Sequence, residues 1–300
     1  MQNNKSPALD QFYDQLITKY EEDSAVMWCY ANPSPRPCFT PGLLKDLKRF
    51  LHNIKSRCNA DDRSGVFPSI KYLVLGSNKP GIFSLGGDLE LFIRAINDQD
   101  KKLLTEYMEL SIDVLFSTYT NLNTPLTTIA LIRGNALGAG FEGALACDYL
   151  VAEEGVQLGF PEVLFNMFPG MGAYSFLSRR INQVTVEKMI LSGRVYSAEE
   201  LHDMGIIDFL AKKGEGVESV CRLIKQHEKS GNSRKSLLKI RRLVNPIKYQ
   251  ELIDIGNLWV DAALSLSERE LRVMKRLVRS QDKIASTLVE AADLKETVNL

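Results

Sequence analysis

Histidine is scarce in this 300-residue chain. There are three, His52, His202 and His227, and no two stand in an HxxxH spacing. A histidine metal site or a Ser–His–Asp triad would have to draw on one of these scattered positions. Cysteine is sparse too. Cys29, Cys38, Cys58, Cys147 and Cys221 are odd in number and widely spaced. Without a CxxC pair, neither a zinc knuckle nor a thioredoxin-type site is expected. Neither sign of charge dominates, since 37 Lys plus Arg balance 37 Asp plus Glu. A dedicated nucleic-acid binder carries a basic excess, so nucleic acid is not an expected partner. No run approaches the roughly 18 apolar residues of a membrane span. Met1–Asp10 is polar and lacks the apolar stretch of a signal peptide. These absences predict a soluble, cytoplasmic protein with no membrane insertion, no metal and no cofactor.

What is present is ordinary globular composition, 45% apolar and 25% charged, enough for one large domain or two modest ones. Apolar runs predict strands at Ala25–Tyr30, Ile70–Leu75, Thr127–Ile132 and Tyr149–Ala152, with one further candidate at Ile206–Ala211. Helical spacing covers Gly42–Cys58 and Leu103–Leu122, and another helix should start at Asp88 as N-cap. Asn32–Pro41, with four prolines, and the polar Asn59–Gly65 are connections. Beyond residue 211 only helical patterns follow. Pro246 is placed to open a helix, Ser267 and Glu270 to cap the next. Strands alternating with helices imply crossover connections and parallel pairing, an α/β arrangement with a helical tail.

Two strand ends run into glycine-rich turns that lead to helix starts. The first is Phe83-Ser84-Leu85-Gly86-Gly87-Asp88, the second Gly134 to Gly143. Glycine lets backbone approach a ligand closely, and helix-start N–H groups lack intrahelical partners. Side by side, such turns could aim two N–H groups at one oxygen, as in an oxyanion hole. They could equally be tight turns with packing glycines. Gly138 to Gly143 also fits GxGxxG, with Glu162 in place of the acidic residue of a dinucleotide site. The context disagrees: only about eight residues separate Gly140 from the next strand, too few for a crossover helix.

Glu142 and Glu162 draw attention because their neighbours are apolar. Glu142 lies among Gly, Ala and Phe, and Glu162 in GFPEVLF. Desolvation raises a carboxyl pKa, which suits general acid–base work.

These segments resemble the crotonase (enoyl-CoA hydratase/isomerase) superfamily. FSLGGD is similar to its first oxyanion turn, F-x-x-G-x-D. GNALGAGFEGALACDYLVA is similar to its second turn and following strand. LGFPEVLFNMFPGMG is similar to its third motif, G-x-P-E-x-x-x-x-x-x-P-G-x-G. The likeness runs from about Ala25 to Phe209. FSLGGDL, GNALGAGFE, AEEG, PEVLF, FPGMGAYSF, YSAE, WVDAA and RLVR together resemble the diffusible-signal-factor synthase branch, whose members make cis-2-unsaturated fatty-acid signals in bacteria.

The resemblance implies a ββα spiral core over residues 1–211 and a helical region over 212–300, packed on the core or on a neighbouring subunit. It implies Glu142 and Glu162 as catalytic carboxyls and the backbone N–H groups of Leu85 and Ala139 as oxyanion donors. Gly86, Gly87, Gly138 and Gly140 would shape the turns. Ala139 stands where glycine is commoner in the superfamily. Leu85, Leu137, Phe141, Met167, Met171 and Trp259 are candidates for an acyl pocket. The implied substrate is a 3-hydroxyacyl thioester of acyl-carrier protein or CoA, dehydrated and then hydrolysed to the free acid. The alternative is a hydratase or isomerase of fatty-acid catabolism without the hydrolytic step. The resemblance also implies a homo-oligomer, a trimer or a multiple of one, and a sensor kinase as candidate partner.

Overall fold

A computed structural model describes residues 12–59 and 69–298. The polar loop expected at Asn59–Gly65 lies almost wholly outside the described residues, as does Met1–Asp10. The chain begins with an antiparallel pair, β1 (Leu16–Glu21) and β2 (Val26–Ala31). Helix α1 (Pro41–Cys58) follows. The Thr40 side chain accepts from the Leu43 N–H at its start, and Pro41 costs no hydrogen bond there. Leu43, Leu44, Leu47, Phe50, Leu51 and Ile54 form its buried face.

The body then repeats one unit. Long strand β3 (Tyr72–Ser77) leads to short strand β4 (Ile82–Ser84) and to α2 (Leu89–Asn97) and α3 (Lys101–Tyr119). Strand β5 (Thr127–Ile132) leads to β6 (Asn135–Leu137) and α4 (Ala139–Leu145). Strand β7 (Tyr149–Glu153) leads to β8 (Gln157–Gly159), a 3-10 turn at Pro161–Phe165, α5 (Ala173–Leu177) and α6 (Gln183–Ser192). Strand β9 (Val195–Ser197), α7 (Ala198–Asp203) and β10 (Phe209–Ala211) close the body. The long strands form a six-stranded sheet in the order β1-β2-β3-β5-β7-β10, parallel from β2 onward. The short strands form a second sheet in the order β4-β6-β8-β9. Successive units therefore stack in the same order in both sheets, which is the expected ββα spiral.

The tail is helical: α8 (Gly216–Lys229), α9 (Gly231–Val244), α10 (Tyr249–Leu264) and α11 (Glu268–Val298). Val220, Leu223 and Ile224 of α8 cover one face of the large sheet, against Trp28, Val74, Ile129 and Val151. Helix α10 packs on α3 and α11 on α2, and Trp259, Leu271 and Met274 join the main core. No helix among the described residues is long and apolar enough to cross a membrane.

Two details differ from the sequence reading. Pro246 does not open a helix: α10 starts at Tyr249, and the Pro246 carbonyl instead accepts from Arg179. Strands β1, β4, β6, β8 and β9 were not foreseen. The last four have three residues each, too short for periodicity to register.

The crossing from β5 to β6 brings Gly134 against β4. A methyl group there would fall 2.1 Å from the backbone of Gly81 and Ile82. Gly134→Ala should therefore destabilise the fold by about 1–3 kcal/mol in urea unfolding. Gly231→Ala, with open space around it, should change stability by less than about 0.5 kcal/mol.

Candidate active site

The two glycine-rich turns meet, and a backbone accounting shows what each leaves unpaired. In the first turn, the Leu85 N–H donates to the Pro37 carbonyl (2.8 Å) and the Phe39 N–H to the Gly86 carbonyl (2.9 Å). The Gly86 N–H donates to Ser84 Oγ (3.3 Å) and the Gln281 amide to the Leu85 carbonyl (3.1 Å). The Asp88 N–H reaches Tyr107 Oη (3.4 Å), and the Asp88 carboxylate caps α2 by accepting from Leu91 (3.1 Å). The Gly87 N–H has no acceptor among the described residues. Leu85 is thus corrected as a donor: its N–H is spent on Pro37, and the free group lies two residues on.

The second turn supplies the Ala139 N–H, the first of α4, which has no intrahelical partner. Gly138 before it has φ +51° and Gly86 has φ +102°, left-handed values that favour glycine. A methyl on Gly86 would lie 3.9 Å from the Ala139 nitrogen, so the turns abut. One on Gly140 would lie 2.7 Å from Ser84, which is why the α4 start can dock on β4.

Glu142 sits on the first turn of α4 and is 1% exposed. Its Oε1 accepts from the N–H groups of Met171 (2.9 Å) and Ala173 (3.0 Å). Burial nevertheless pushes its pKa up to about 7, those backbone donors opposing the rise. Glu162 stands on the 3-10 turn, with its carboxyl over the second turn: a methyl on Gly138 would come within 2.2 Å of Glu162 Oε1. Its Oε2 is buried without a partner. Burial first, and then the charge of Glu142, push its pKa up to about 8. Together the two carboxyls hold about one proton near neutrality. Two N–H groups from a neighbouring segment stabilise the Glu142 carboxylate, whereas Glu162 Oε2 has no partner, so a shared proton favours Glu162.

Glu142, Glu162, Gly87 and Ala139 line one narrow apolar cavity. Of the acyl-pocket candidates, Met167, Met171 and Trp259 line this cavity. Trp259 lies against Gly170 and meets Phe92 edge-on at 5.0 Å. Three pocket candidates fall elsewhere. Phe141 points into the core and stacks on Phe160 at 5.0 Å. Leu85 and Leu137 belong to the turn backbones and are not among the lining residues. The sequence reading missed Leu89, Phe92 and Ile96 of α2, and Met274 of α11. The α2 stripe was visible as helical spacing directly after the first turn; Met274 carried no such signal.

A family model described as enoyl-CoA hydratase/isomerase matches residues 31–243. The chain belongs to the enoyl-CoA hydratase/isomerase family. It is 29% identical over 196 residues to a probable mitochondrial enoyl-CoA hydratase 2 of Arabidopsis thaliana. That alignment covers 65% of this chain and 61% of the relative, so the chain spans about three fifths of its length. The structure of an enoyl-CoA hydratase from Bacillus halodurans superimposes with TM-score 0.71 at 21% identity, covering 87% of this chain and 98% of that one. Pseudomonas aeruginosa DspI superimposes with TM-score 0.60 at 23% identity, covering 79% and 92%. At these identities both structures attest the fold.

The raised pKa of Glu162 carries a stability consequence. The folded state keeps a proton that the unfolded chain gives up near pH 4.3, so stability contributed by this group falls as pH rises from there toward 8. Glu162→Gln should therefore melt close to wild type at pH 5 and clearly above it at pH 8. A melting difference that does not grow with pH would contradict the assignment.

Proposed function

We propose that this chain adds or removes water across the C2–C3 bond of an acyl thioester. The supporting observation is that two buried carboxyls with raised pKa values line one cavity together with Gly87 and Ala139, whose N–H groups are unpaired among the described residues. In this reading Gly87 and Ala139 hold the thioester oxygen. They stabilise the enolate more than the carbonyl, because charge develops on that oxygen. Addition uses the proton where it rests: Glu162 delivers it to C2, and Glu142 takes one from the attacking water. Elimination is the reverse and starts with the proton on Glu142. That form is within reach because burial raises the Glu142 pKa as well. Either direction returns the pair with one proton, so no external acid or base is consumed.

The finer reading is a signal synthase: elimination from a 3-hydroxyacyl thioester of carrier protein or CoA, then hydrolysis to a free 2-unsaturated acid. It draws on the motif likeness, and on a site that could serve both steps because each places charge on the same oxygen. The alternative is a hydratase or isomerase whose product keeps its thioester.

The test is mass spectrometry of products from 3-hydroxyacyl-carrier protein and 3-hydroxyacyl-CoA. Glu142→Gln and Glu162→Gln should each lower the water-transfer rate by about 10² to 10⁴. A free unsaturated acid supports the synthase, an unsaturated thioester the alternative. Turnover that survives both substitutions would refute the mechanism.

We also propose self-association through α9. Leu237, Ile240, Leu243 and Val244 are exposed on this one helix, Leu243 by 80%. Ile240→Asp combined with Leu243→Asp should convert an oligomer to monomer in sedimentation velocity; an unchanged sedimentation coefficient would locate the interface elsewhere.

A further inference from the structure

We infer that Gln281 is a positioning residue for the first turn, and so for the Gly87 N–H. The inference rests on the proposed use of that group. Of the four bonds that fix the turn ahead of Gly87, one is local, the Gly86 N–H donating to Ser84 Oγ, and two reach the segment before α1, where the Pro37 carbonyl accepts from the Leu85 N–H and the Phe39 N–H donates to the Gly86 carbonyl. The fourth comes from 196 residues away, where Gln281 Nε2 donates to the Leu85 carbonyl at 3.1 Å. The Leu85 carbonyl belongs to the Leu85–Gly86 peptide, and Gly86 is the hinge with φ +102°. Holding that peptide plane sets where the following N–H points.

Gln281 is 7% exposed on α11, and its Oε1 is buried without a partner. An amide held in so costly a setting is not a surface group resting on the nearest carbonyl. Its neighbour Asp282 pairs with Arg36, which also pairs with Glu90 of α2 at 2.6 Å. Arg36 precedes Pro37, the acceptor of the Leu85 N–H. Residues 281 and 282 thus grip both the turn and the segment that supports it. Removing a donor from an oxyanion hole costs about 10² to 10³ in rate. Loosening its mount should cost less.

The test compares Gln281→Met, which keeps length and burial but removes the amide, with Val278→Ala, which loosens α11 one turn away. Gln281→Met is expected to lower kcat about tenfold with KM within twofold, and to displace the Gly87 amide resonance in ¹⁵N–¹H spectra. Val278→Ala is expected to lower Tm while kcat and that resonance hold. An unmoved Gly87 resonance in Gln281→Met overturns the inference. So does a kcat loss that Val278→Ala reproduces, since helix docking alone would then explain it. If the wild type turns over no acyl thioester, the proposed function fails, yet the Gly87 resonance still decides whether Gln281 sets that group.

Discussion

Two carboxyls buried side by side cannot both be charged in an apolar cavity, and the site is built around that restriction. Separately, each would pay a desolvation penalty; together they repel as well. The protein relieves one of them. Backbone N–H groups from Met171 and Ala173 converge on Glu142, which can then carry the charge. Glu162 Oε2 has no such partner, and burial favours its protonated form. In the proposed mechanism this asymmetry makes one of two like side chains the acid and the other the base.

The spiral makes this affordable. Each ββα unit brings a long strand, a short strand and a helix start to the same edge, so consecutive units present consecutive turns. The first unit offers Gly87, the second Ala139 and Glu142, the third Glu162 and the backbone that holds Glu142. The tail then roofs the cavity: Trp259 from α10 and Met274 from α11 exclude water from the carboxyls. That exclusion raises their pKa values and strengthens whatever the two N–H groups do. Chemistry and burial therefore come from different parts of the chain, and removing the roof would weaken both.

Much of the architecture could be read before the fold was in view. Strands β2, β3, β5 and β7 are largely apolar stretches because both faces of the sheet are covered, and such runs stand out. Strand β1, LITKYE, mixes polar and apolar residues without a clear period at a sheet edge and did not stand out. The short second sheet was invisible, since three residues show no period. Within the site, Glu142 and Glu162 were identifiable because a charge among apolar neighbours is conspicuous. The donor in the first turn was misplaced by two residues. A donor is defined by which N–H remains after its neighbours are paired, and the partners Pro37, Ser84, Phe39 and Gln281 are spread over nearly the whole chain. Phe141 adjoins Glu142 in sequence yet does not line the cavity, because adjacent residues on a helix face different ways.

The central claim is that one proton resides on the pair at neutral pH, on Glu162. Infrared difference titration reads it directly through the carbonyl stretch of a protonated carboxyl. The wild type should show a buried protonated carboxyl band at pH 7 that is lost as pH rises through about 8 and is strongly weakened in Glu162→Gln. A wild-type protein with no protonated carboxyl at pH 7, or one whose band is undiminished in Glu162→Gln, would contradict it.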